Sequence, residues 1–70
     1  VIIELENPTA VGPGDPQAMI VVAQNGTIVT KKVIDGQVSL YREQTPEGDF
    51  EEALGAHLTF LVAAGFKVVD

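Results

Sequence analysis

A single histidine, His57, stands in the middle of an apolar, helix-patterned stretch. Its unperturbed pKa lies near neutrality, so it is the natural candidate for general-base chemistry. Such chemistry also needs an orienting carboxylate or a nucleophile within reach. The sequence around His57 supplies neither. A partly buried ring that hydrogen-bonds locally accounts for it equally well, and His57 is kept as a weak catalytic candidate.

The acids Glu43, Glu47, Asp49, Glu51 and Glu52 form the densest charge cluster. Hard cations such as calcium take several oxygen ligands. The spacing does not follow the D-x-[DN]-x-[DN]-G loop, however, and the acids fit a solvated helix N-terminus, so no metal is expected. Gly12-Pro13-Gly14 resembles a phosphate-cradling turn only superficially. No Gly-Lys-Ser/Thr follows it, and no helix opens there. Asn25-Gly26-Thr27 matches the glycosylation sequon, but a hairpin turn explains all three residues. No cofactor motif is present.

The elements that must position these residues centre on Thr45 to Phe66, which reads as one amphipathic helix. Thr45-Pro46 supplies one start signal. Asp49 with Glu52 supplies a capping box, and Asp49 is the better cap of the main helix. Gly65 suits the left-handed position that ends it. Phe50, Leu54, His57, Leu61, Ala64 and Gly65 share one side, flanked by Ala53 and Leu58. On the opposite side Gly55, Thr59 and Ala63 recur at four-residue spacing, with no charged residue between Glu52 and Lys67. That small stripe reads as a contact surface or as an exposed Ala-rich face.

Before the helix the chain reads as β-structure. Val1 to Leu5 is a short strand. Glu6 to Gln17 is a loop with three of the four prolines, longer than most connections. Ala18–Gln24, Thr27–Ile34 and Gln37–Gln44 are joined by Asn25-Gly26 and Asp35-Gly36, the strongest short-range hairpin signals. These predict an antiparallel meander with Gln24 opposite Thr27 and Ile34 opposite Gln37. Phe66 to Val69 is a last short strand that returns along a sheet edge near Val1 to Leu5.

The register divides the meander into two faces. Ile20, Val22, Val29, Lys31, Val33, Val38, Leu40 and Arg42 form one, expected to meet Phe50, Leu54, Leu58 and Leu61. Met19, Val21, Ile28 and Tyr41 belong to the other, with a bulge near Lys31-Lys32 able to exchange parts of the two. The fold class is therefore α+β: an antiparallel sheet of three to five strands in β-β-β-β-α-β order, with one C-terminal helix on one face. A single domain spans 1–70.

Bulk properties narrow the function classes. A chain of 70 residues buries only about 60% of its unfolded surface. There is no cysteine to staple it. Hydrophobic residues make up 46%, which excludes a disordered chain and favours hiding some surface by association. The formal net charge of −6 repels phosphate backbones, so neither nucleic acid nor anionic membrane is an expected partner. Apolar runs such as Ala18–Ala23 are too short to span a bilayer. No basic n-region or cleavage pattern opens the chain, and a soluble cytoplasmic protein is expected.

Two functional readings follow. The first is a non-enzymatic interaction module that self-associates, as a dimer, or docks on a larger protein. It would use the open sheet face (Met19, Val21, Ile28, Tyr41), the helix stripe (Gly55, Thr59, Ala63), or both. The second is a small-ligand site or minimal enzyme near His57, with the Pro–Gly loop as its rim.

Overall fold

The computed structural model describes residues 1–10, 12 and 14–69. Five strands and one helix follow in the order β1 (Ile2–Glu6), β2 (Ala18–Gln24), β3 (Thr27–Ile34), β4 (Gln37–Gln44), α1 (Phe50–Ala63) and β5 (Lys67–Val68). All five strands form one antiparallel sheet in the spatial order β4-β3-β2-β1-β5. The α+β class, the element order and the single helix are those expected.

Local chemistry accounts for each joint. Asn25 and Asp35 have φ of 54° and 52°, and the glycines after them 75° and 78°. Both hairpins are therefore two-residue turns with positive φ at each central position, the type I′ arrangement that matches strand twist. Their register is as expected, Gln24 opposite Thr27 and Ile34 opposite Gln37. Asp49 caps α1, its Oδ1 accepting the Glu52 N–H at 3.1 Å. At the other end Gly65 takes φ 106°. The Phe66 N–H then reaches the Leu61 carbonyl at 3.1 Å, and the Gly65 N–H reaches Val62 at 3.0 Å. That pair of bonds is the Schellman closure. β5 pairs with β1, Leu5 opposite Val68 and Glu6 opposite Lys67.

The core lies between α1 and the face of Leu5, Met19, Val21 and Ile28, closed by Leu61 and Phe66. Phe50, Ala53, Leu54 and Leu58 pack around it, half-buried. This reverses the face assignment made from the sequence. Met19, Val21 and Ile28, expected on the open side, are 3, 0 and 1% exposed beneath the helix. The charges explain the reversal. Across the other face Glu4 pairs with Ile20, and Ile20 with Lys31, so helix cover there would bury a carboxylate and an ammonium against apolar side chains. The chosen face carries Lys32, half-buried opposite Met19, but fully buries only Thr30 among polar sheet residues, and that hydroxyl finds a partner on the helix. The connection from β4 through α1 to β5 also joins two strands that run the same way, and the strong hand preference of such crossovers ties the helix to one side.

The opposite face has no cover from the rest of the described chain. Ile20, Val22, Val29 and Val33 occupy its centre, half-buried by their neighbours. Ile2, Val38 and Leu40 lie further out and are 68, 55 and 60% exposed.

Candidate functional site

β3 and β4 do not pair evenly. Lys31 is opposite Leu40, but Thr30 is opposite Arg42, so the ladder slips by one residue between Thr30 and Lys31. Tyr41 is the extra residue on β4. Up to Leu40 the strand follows the register of the Asp35-Gly36 turn; beyond Tyr41 the alternation is inverted. Arg42 and Gln44, which an even ladder would place on the open face, join Thr30 and Ile28 on the helix side.

That inversion brings Arg42 to His57. His57 is 4% exposed and Thr30 1%. Their Nε2 and Oγ1 lie 2.7 Å apart, a short bond in which either the hydroxyl or the ring donates, according to the tautomer. Nδ1 is buried and has no hydrogen-bond partner among the described residues, so none of their carboxylates orients the ring. Burial holds the His57 pKa below its ordinary 6.5, and the nearby Arg42 guanidinium lowers it further. Both effects favour the neutral ring. A general base is aligned by a second group on its other ring nitrogen, and no described residue does this for Nδ1.

Beside this pair is a cleft of about 200 Å³ lined by Arg42, Gln44, Ala53, Ala56, His57 and Phe60. It offers one cation, one amide and an aromatic wall, a set suited to a small polar or anionic group. The described residues of the Pro–Gly loop contribute none of this lining. Its Asn7 and Gln17 ends are tied instead, the Asn7 N–H donating to the Gln17 carbonyl at 2.9 Å. Val11 and Pro13 of that loop lie outside the described residues. Among the described residues no group of acids, histidines or cysteines could hold a metal ion.

The remaining sequence-predicted residues fall in different places. Tyr41 is 42% exposed at the bulge, away from Met19 and Ile28, which are in the core. Gly55, Thr59 and Ala63 are exposed along the outer side of α1. The Thr59 hydroxyl folds back to donate to the Gly55 carbonyl at 2.9 Å, so its donor is already used. Phe60 and Val62, overlooked in the sequence, expose 55 and 53% of their surface on the same helix. Phe60 belongs with Arg42 in the cleft. Its signal was an aromatic between His57 and Leu61 but off the core stripe. No helix of the described chain is long and apolar enough to cross a membrane.

The larger feature is the open sheet face. It is apolar along its centre and carries Glu4 and Glu6 on β1, Lys31 on β3 and Glu43 on β4. Neither a family model, nor a curated protein, nor a solved structure matches this chain, so its reading rests on the geometry above.

Proposed function

We propose that the protein is a small acidic, non-enzymatic assembly module that docks through the uncovered face of its sheet. One observation carries the reading: an aliphatic surface across β1 to β4 lies opposite the one helix of the described residues. Isolated surface aliphatics are ordinary, but a contiguous patch spanning four strands is characteristic of an interaction site. The contact residues are Ile20, Val22, Val29 and Val33, with Ile2, Val38 and Leu40 around them. A cytoplasmic location goes with this reading and is supported by the cysteine-free, acidic composition. The test is binding of a hydrophobic fluorescent dye to dilute protein, compared with a Val22→Thr/Val29→Thr variant of unchanged circular dichroism. Saturable binding that the variant weakens severalfold supports the reading. A dilute monomer that binds no dye overturns it.

A second reading, a small-ligand site beside His57, is supported by the bulge that turns Arg42 toward the helix. A carboxylate probe such as butyrate then shifts the Arg42, Gln44 and Phe60 resonances saturably, and Arg42→Gln abolishes the effect. Equal shifts from the uncharged amide of the same acid count against a charge-selecting site.

A further inference from the structure

The pattern of charge on the open face selects one occupant. Cross-strand partners share a face, so the ladder arranges this face in rows. One row runs Glu43, Val29, Val22, Ile2. The next runs Leu40, Lys31, Ile20, Glu4. An outer row runs Val38, Val33, Ala18, Glu6, Lys67. In the middle row a cation and an anion flank Ile20 at equal distance, one strand to either side.

About a two-fold axis that passes by Ile20, two copies can stack face to face in two aligned ways. With the axis across the strands, along the middle row, each strand faces itself. Lys31 then meets Lys31 and Glu4 meets Glu4. With the axis along β2, each row faces itself reversed. Lys31 of one copy then lies over Glu4 of the other, twice by symmetry, Val29 lies over Ile2, and Ile20 and Val22 meet their own counterparts on the axis. Every central contact is then either apolar or between opposite charges. In the outer row Val33 falls over Glu6 and Val38 over Lys67, at the end of the strands where the charged tips reach water. The modest crossing angle of packed sheets tilts this register without changing its pairing.

We propose that a second copy of this chain covers the open face, with a two-fold axis along β2 and reciprocal Lys31–Glu4 ion pairs on either side of Ile20. The inference rests on the docking reading above and adds the partner and the geometry to it. An isologous pair of this kind is closed, so association stops at two. Four strands about 4.8 Å apart and seven residues rising about 3.3 Å each give a face of roughly 450 Å² in projection. Two such faces bury about 900 Å², below the roughly 1,200 Å² of stable specific interfaces and in the range of weak, transient ones. The dimer is therefore concentration-dependent.

Sedimentation equilibrium from micromolar to millimolar protein tests it, with wild type, Ile20→Lys, Lys31→Glu, and Glu4→Lys/Lys31→Glu compared at low salt. The expected result is a reversible monomer–dimer equilibrium. Ile20→Lys abolishes it, Lys31→Glu weakens it about tenfold, and the double reversal restores it to within about threefold of wild type. A double reversal no tighter than Lys31→Glu, or a dimer indifferent to Ile20→Lys, overturns the geometry. A wild-type chain that stays monomeric at millimolar concentration and still binds the hydrophobic dye overturns the second copy and leaves the docking reading standing. A monomer that binds no dye overturns both.

Discussion

Replacing Thr30 by valine isolates the buried hydrogen bond that joins the sheet to the helix. Valine keeps the shape and the β-branched fit to the strand, but sets a methyl where the hydroxyl lies 2.7 Å from Nε2 of His57. Nδ1 has no partner among the described residues, and the variant takes away the one that Nε2 has. Leaving one buried polar group unmet costs about 1–3 kcal/mol. A domain of this length has a total stability of about 4–10 kcal/mol, so Thr30→Val removes a sizeable share and lowers Tm by about 4–8 °C per kcal/mol. His57→Leu alone leaves the Thr30 hydroxyl buried without its partner and is also destabilising. The double variant removes both polar groups and costs less than the sum, with a coupling of about 1 kcal/mol or more. Urea unfolding followed by circular dichroism, at one low protein concentration for all four chains, measures the cycle. Additive costs, or Thr30→Val within about 0.3 kcal/mol of wild type, would refute the claim that this hydrogen bond holds the junction.

Stability is expected to fall as the solution is acidified below the unfolded-state pKa of about 6.5. His57 is held below that value when folded, so between the two pKa values the unfolded chain binds more protons and is favoured; His57→Leu should flatten that limb of the pH–stability curve. Asp49→Ala removes the cap on the Glu52 N–H and should cost about 1 kcal/mol in urea unfolding, with Asp49→Asn near wild type. Deleting Tyr41 takes out the extra residue of the bulge, so Leu40 should still pair with Lys31 and Arg42 with Thr30 in cross-strand NOEs. Loss of either pairing would show that Tyr41 is not the residue accommodated there.

The parts legible in the sequence are those governed by local chemistry. Asn25-Gly26 and Asp35-Gly36 dictate their turns because few other residues tolerate positive φ twice in succession. Asp49 and Gly65 bound the helix through caps that need only neighbouring backbone. The choice of sheet face was not legible from aliphatic content, because Ile20, Val22, Val29 and Val33 make the richer set and yet stay outside. What decides is the placement of Glu4 and Lys31 within that set, and Glu4 joins it only once β1 pairs with β2. The His57–Thr30 contact was likewise hidden, since it joins two elements through a register and a face that had to be known together. The bulge at Tyr41 has no glycine to announce it. The sequence placed a slip near Lys31-Lys32, but Arg42 beside His57 follows only from the pairing on both sides of it.

Solvent paramagnetic relaxation of methyl protons tests the central claim most directly, since it reads which aliphatic groups meet water. In a dilution series the Leu5, Leu61 and Ile28 methyls should stay protected throughout. The Ile20, Val22 and Val29 methyls should be exposed in the dilute monomer and become protected together as concentration rises. Open-face methyls that are already sheltered at the lowest concentration, where sedimentation gives a single chain, would contradict the account.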